Sequence, residues 1–182
     1  MAARLSTFVK HLWMDEDDSR RAISPEILNR ITERVASSET LHGGEIRICV
    51  EAALPLSELW QVCAHLSLQQ VIRARARTLF GALGVWDTAQ NNGVLIYLLL
   101  AEHAIELVAD RGLNDRIDSA HWAALAARMG EAFRQGHYED GLTQAIDEVS
   151  AVLTRHFAKP DGASSGAGAH NLNELPDTPT LL

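Results

Sequence analysis

Apolar residues first recur with helical spacing at Ile27, Leu28, Ile31 and Val35, which fall on one face of a helix. Ser24-Pro25-Glu26 marks its start with a capping hydroxyl, a proline at the first helical position and an early carboxylate. The pattern lapses near Ser38, before Gly43-Gly44, and then changes period. Ile46, Ile48 and Val50 alternate with Arg47, Cys49 and Glu51, which predicts a strand over Glu45 to Ala52 with one buried and one mixed face, ended by Pro55. Helical spacing returns from Leu56 to Leu83 in two segments. Ser57 is placed to cap the first, and Ser67 with Gln70 has capping-box spacing for the second. The second carries a stripe of Leu68, Ile72, Leu79, Phe80 and Leu83. Arg73, Arg75 and Arg77 lie between these positions; residues two apart do not share a helix face, so they read as a solvated surface and not as a nucleic-acid patch.

Gly84 closes that helix, and Asn91-Asn92-Gly93 carries turn chemistry. Val94 to Leu100 is apolar without alternation, the pattern of a central strand covered on both faces. Its helical connection to the first strand predicts a parallel pair with a right-handed crossover. Ala101-Glu102-His103 is too short for a crossover, so Ala104 to Ala109 must return antiparallel. Asp118 or Ser119 caps a helix with Trp122, Leu125, Met129 and Phe133 in line, broken at Gly136. A last helix runs from about Tyr138 to Phe157, with Leu142, Ile146, Val149, Val152 and Leu153 inward. The order α-β-α-β-β-α-α predicts an α/β fold: a three-layer α/β/α sandwich in which a small mixed sheet of three to four strands is flanked by helices.

This domain spans residues 23–158. Residues 1–22 read as an N-terminal docking segment in which Phe8, Val9, Leu12 and Trp13 cluster ahead of the acidic run Asp15-Glu16-Asp17-Asp18. Residues 159–182 read as a flexible C-terminal tail, Gly/Ala/Ser-rich as far as His170. Asn173-Glu174-Leu175-Pro176-Asp177 is the one stretch of it with the character of a docking segment.

Charge and cysteine content narrow the class. A net charge of −8 over 182 residues works against non-specific binding to nucleic acid or anionic membranes, while leaving room for a local cation. Cys49 falls mid-strand and Cys63 mid-helix; both read as small buried apolar residues, neither a disulfide nor a metal knuckle, as in a reducing compartment. The longest apolar run, Val94 to Ala101, is far short of a membrane span, and no secretory h-region is present. The expectation is a soluble, cytoplasmic protein.

The loops before the second strand and after the third meet at one edge of an antiparallel pair. Asp87, Asn91, Asp110 and Asp115 there offer hard oxygen ligands suited to Ca2+ or Mg2+. Trp86, Asn92, Gly93, Arg111 and Arg116 complete the rim. The same residues admit a purely structural reading: Asn91 and Asn92 make the turn, Asp87 caps backbone amides, Asp110 pairs with Arg111 or Arg116, and Trp86 closes the core under the loop. No cysteine-phosphatase loop, paired-aspartate motif or Walker loop occurs, and His42, His65, His103, His121 and His137 lack zinc spacing. No catalytic residue can be named.

Gly84-Val85-Trp86-Asp87, then Asn91-Asn92-Gly93-Val94-Leu95-Ile96, then Gly112-Leu113 and finally Phe133-Arg134 with Tyr138-Glu139 and Gly141 together resemble the TPM domain family. That family is named for thylakoid-lumen phosphatase-like, photosystem II repair and membrane-associated members. The resemblance covers roughly residues 40–157. It implies a mixed-sheet α/β sandwich with a site at the loop end of the sheet, and a link to divalent cations and phosphatase activity in some members. Asp87, Asn91, Asn92 and Gly93 fit the family loop. Asp110 and Arg111 stand where the common pattern has glycine and an aromatic residue, and Ala101-Glu102-His103 replaces its hairpin turn. Most relatives carry an export signal and a membrane tail, so the resemblance implies a soluble branch whose partner is a membrane-anchored relative or another protein. The expected function is a binding or accessory module with a divalent-cation site; the alternative is a metal-dependent phosphatase acting on phosphomonoesters.

Overall fold

The computed structural model describes residues 9–64, 66–114, 116–159 and 173–182. Asp15 caps a short helix α1 (Glu16–Ala22) by accepting from Asp17 N, and Asp18 reciprocates. The acidic run is thus a helix start, with its carboxylates on the positive end of the dipole. Ser24 accepts from Ile27 N to open α2 (Pro25–Glu39), as its sequence predicts. Strand β1 (Glu45–Glu51) follows, then α3 (Leu56–Ala64) and α4 (Leu68–Ala82). The Ser67/Gln70 capping box forms, whereas Ser57 lies inside α3, which starts one residue earlier at Leu56 after Pro55. Strands β2 (Gly93–Leu99) and β3 (Ala104–Ala109) enclose a short 3-10 turn whose C-cap, His103, takes the left-handed conformation at φ 47°. Then come a single helical turn α5 (Arg111–Asn114), α6 (Ser119–Arg134), α7 (Tyr138–Phe157) and a two-residue strand β4 (Thr180–Leu181). Asp118, not Ser119, caps α6.

The sheet has the order β3-β2-β1-β4. β1 and β2 run parallel with Ile48 opposite Ile96, and β2 and β3 run antiparallel with Ile96 opposite Leu107. The mixed α/β architecture is therefore the one that the hydropathy pattern predicts. Period-two alternation sorts the side chains. Ile46, Ile48, Ile96 and Leu107 pack with α2, α6 and α7, while Cys49, Leu95, Tyr97 and Leu99 pack with α3 and α4. Cys49 is fully buried and free, and burial pushes its thiol up to about 12. The Cys63 side chain lies outside the described residues. Among the described residues no helix is long and apolar enough to cross a membrane.

Both described ends of the chain dock on the domain. Val9, Leu12 and Trp13 are exposed, Trp13 at 83%. Contact in the helical segment 9–13 is made instead by His11, whose buried Nδ1 accepts from Leu54 N and whose Nε2 lies 3.2 Å from Glu102 Oε1. Phe8 lies outside the described residues. Residues 173–182, expected within a flexible tail, are seated along β1. Thr180 and Leu181 pair with Cys49 and Val50, Leu175 is buried, and Ser19 Oγ donates to the Leu182 carbonyl. This explains why every residue of β1 is buried where a mixed face was expected: helices cover both its faces, and β2 and β4 cover both its edges.

Candidate functional site

Two loops are brought together by glycines at their closest approach. A Cβ at Gly112 would run into the carbonyls of Asn91 and Gln90, and one at Gly93 into the carbonyl of Val85. With those positions clear, Gly112 N donates to the Asn91 carbonyl and Asp110 N to the Gly93 carbonyl, both at 2.9 Å. Asn91 takes a left-handed conformation, φ 52°, which asparagine tolerates better than most residues. Its amide oxygen accepts two bonds from Arg111, from Nε at 2.8 Å and Nη2 at 2.6 Å. Asp110 uses one oxygen to cap α5, accepting from Arg111 N at 2.6 Å. Its other oxygen, Oδ2, is buried with no hydrogen-bond partner among the described residues. Asn92 is buried and donates twice, from Nδ2 to the Gly43 carbonyl at 2.7 Å and from its backbone N–H to Thr88 Oγ1 at 3.1 Å.

Asn91, Asn92, Gly93, Asp110 and Arg111 therefore form one cluster. Asp87 is exposed, and its side chain has no hydrogen bond among the described residues. Trp86 does not close the core: it is 55% exposed, and Val85 fills the space beneath the loop. Arg116 turns away, donating to the His156 carbonyl at 2.9 Å and lying over the Phe157 ring at 4.8 Å. Asp115 lies outside the described residues. Asp110 pairs with the Arg111 backbone and not with either guanidinium. No three His, Cys, Asp or Glu side chains converge among the described residues. The cluster also sits at the N-terminal ends of β1 and β2, opposite the end where parallel sheets usually place ligands.

Beside it lies a buried polar group that periodicity did not reveal. Glu45, opposite Gly93 in the sheet register, accepts from Leu175 N, and Glu39 accepts from Ile46 N at 2.9 Å. Burial pushes the Glu39 carboxyl up to about 8 and that of Glu45 up to about 6, and holds the His42 imidazole down at about 4. Glu45 begins β1 and Glu39 ends α2, positions at which no local pattern signals burial. Burial comes from α7 and residues 173–177, which are distant in the chain.

The signs of these shifts set a pH dependence. Between 4.5 and about 8 the folded chain keeps a Glu39 proton that the unfolded chain releases, so stability falls as pH rises through that window. Glu45 acts in the same sense from 4.5 to about 6. His42 acts oppositely from 6.5 down to about 4, because only the unfolded chain takes up its proton there. Above 6.5 Glu39 acts alone among the three. Urea titrations should show stability falling by about 1.4 kcal/mol per pH unit toward pH 8. Glu39→Gln keeps the acceptor for Ile46 N and should flatten that slope; an unchanged slope would assign the titration elsewhere.

The profile of the TPM domain matches residues 17–152 of this chain. Among solved structures the chain is similar to the NMR structure of the BA42 protein from the psychrophilic bacterium Bizionia argentinensis. The TM-score is 0.67 and the identity 24%, over 86% of this chain and 93% of that one. That likeness is one of fold. No curated protein matches the chain.

Proposed function

Because this chain belongs to the TPM domain family, we propose that it is a binding module whose loop-end rim takes a divalent cation in competition with Arg111. The observation that carries this reading is Asp110 Oδ2, a buried carboxylate oxygen with no partner among the described residues. Such an oxygen is costly to leave unpaired, and a hard cation is one group that satisfies it. Asn91 Oδ1 is the adjacent oxygen donor, held by the guanidinium. Asp87, exposed in the same loop, is a further donor. Cation and guanidinium cannot share Asn91 Oδ1, so binding releases Arg111 to solvent. That coupling changes the charge presented at the rim, which suits recognition of a partner better than turnover.

A calcium and magnesium titration followed by amide NMR, with phosphate release from p-nitrophenyl phosphate assayed on the same sample, tests this. The backbone signals of Asn91, Asp110 and Arg111 should move, with no phosphate release above the blank. Asp110→Asn should remove the response. Arg111→Gln should tighten cation binding roughly tenfold, since a positive charge leaves the immediate surroundings of the ion. Silence at Asp110 would sink the cation site. Metal-dependent phosphate release that disappears in Asp110→Asn would favour the phosphatase alternative.

A further inference from the structure

Residues 173–182 close the outer edge of β1, yet they lie outside the stretch, 17–152, that matches the TPM domain. Their hold on the sheet is short. Only Thr180 and Leu181 pair with it, and Leu182 donates to the Val50 carbonyl and accepts from Ala52 N, both at 2.9 Å. Leu175 is the buried anchor. Ahead of the strand the segment crosses the N-terminal end of β1, where Glu45 accepts from Leu175 N and Glu174 accepts from Ala89 N at 2.8 Å.

Four carboxylates meet along this seam. Glu39 and Glu45 belong to the domain, Glu174 and Asp177 to the segment. The charge of Asp177 bears on both domain carboxylates, and that of Glu174 on Glu45. Each of the four accepts from an uncharged N–H, on Ile46, Leu175, Ala89 and the Asn173 amide respectively, and none is ion-paired among the described residues. The two cations beside them are committed to other acceptors. Arg47 donates to the carbonyls of Pro176 and Thr178 and to Thr180 Oγ1, and Lys159 Nζ donates to the main-chain carbonyl of Glu39. Glu45 is 1% exposed, and its Oε1 has no hydrogen-bond partner among the described residues. His42, the remaining titratable group there, turns Nδ1 to the Gly44 carbonyl.

Such a seam holds while its buried carboxyls carry protons and weakens when they ionise. Burial, reinforced by the neighbouring carboxylates, pushes Glu39 up to about 8 and Glu45 up to about 6. Departure of the segment admits water and lowers both, so the docked form keeps protons that the open form releases. Docking is therefore firmest at low pH and loosens as pH rises through about 6 and then about 8. His42, held down at about 4, acts oppositely and only below 6.5.

We propose that residues 173–182 are a pH-released strap: ionisation of Glu39 and Glu45 repels the carboxylates of Glu174 and Asp177, and the segment detaches while the rest of the domain stays folded. Release uncovers the outer edge of β1 and frees Ala89 N in the loop that carries Asn91. The strap is independent of the cation reading, and its test is made in EDTA.

Native-state amide exchange of the full chain between pH 6.5 and 8, corrected for the intrinsic exchange rate, tests this. The amides of Ala89, Leu175 and Leu182 should open together, ahead of those shared by β1 and β2, with an opening constant that rises about tenfold across the range. Glu39→Gln keeps the acceptor for Ile46 N and should remove most of that rise. Glu174→Gln, at an exposed position, keeps the acceptor for Ala89 N and should lower the opening constant about threefold at pH 8. Exchange of Leu175 and Leu182 only through global unfolding would overturn the proposal. So would an opening constant indifferent to pH, or one that neither variant changes.

Discussion

Arg75→Met should destabilise the protein by about 3–5 kcal/mol, among the largest effects of any single substitution here. Arg75 binds Glu51 twice, from Nη2 at 2.6 Å and Nε at 3.0 Å, and reaches Glu58 from Nη1 at 3.2 Å. Tyr97 Oη donates to Glu51 Oε2 at 2.7 Å from the middle of the sheet. The Glu51 side chain is 4% exposed, so removing the guanidinium strands a carboxylate in the interior. Burial disfavours the charged guanidinium, yet the Glu51 hydrogen bonds and charge still hold it above its ordinary range. Burial, with the neighbouring Glu51 charge, keeps the Tyr97 phenol neutral. The network fastens α3 and α4 to the sheet, so the loss should appear as a lower urea midpoint. Arg75→Met combined with Glu51→Leu removes both charges together and should recover most of the loss. Equal destabilisation by the single and double variants would mean that packing, not the stranded charge, sets the cost.

Deleting residues 173–182 should cost about 3–5 kcal/mol and leave the protein prone to self-association. Arg47 is 8% exposed, and its guanidinium donates to the carbonyls of Pro176 and Thr178 and to Thr180 Oγ1, all within the deleted stretch. Leu175 leaves the core facing α4, Glu45 loses the Leu175 N–H, and Glu174 no longer accepts from Ala89 N in the loop that carries Asn91. The far edge of β1 is uncovered at the same time. Urea titration should show the lost stability, and sedimentation should show a concentration-dependent oligomer absent from the full chain. Undiminished stability would reduce β4 to a passive appendage. Arg47→Leu separates the two effects: it removes the buried charge while leaving the strand to cover the edge.

Most of the fold was legible because it is local. Ser24-Pro25, Ser67 with Gln70 and Asp118 act on amides two or three residues away, and a capping signal needs no tertiary information. The apolar run Val94–Leu99 and the short turn at His103 settle strand direction by chain geometry alone. The candidate rim was legible in part for the same reason: Asn91, Asn92 and Gly93 form the turn that aims them, and the antiparallel return sets Asp110 beside them. Trp86 is exposed where the sequence reading has it close the core, because nothing in the chain says which residue of a loop turns inward. Val85 does, and its neighbours are left outside.

By itself, the sequence determined the layered α/β architecture, the parallel and antiparallel pairings and the place where two polar loops meet. These follow from period, capping and connection length, which operate over a few residues. Only the tertiary structure decided which polar groups are buried. Arg111 turns to Asn91 and not to Asp110; Glu39 and Glu45 lie under chain more than a hundred residues away; and the last ten residues complete the sheet. Each is an outcome of long-range packing, in which a side chain's partner is fixed by what the fold places beside it, and no local pattern records that neighbour.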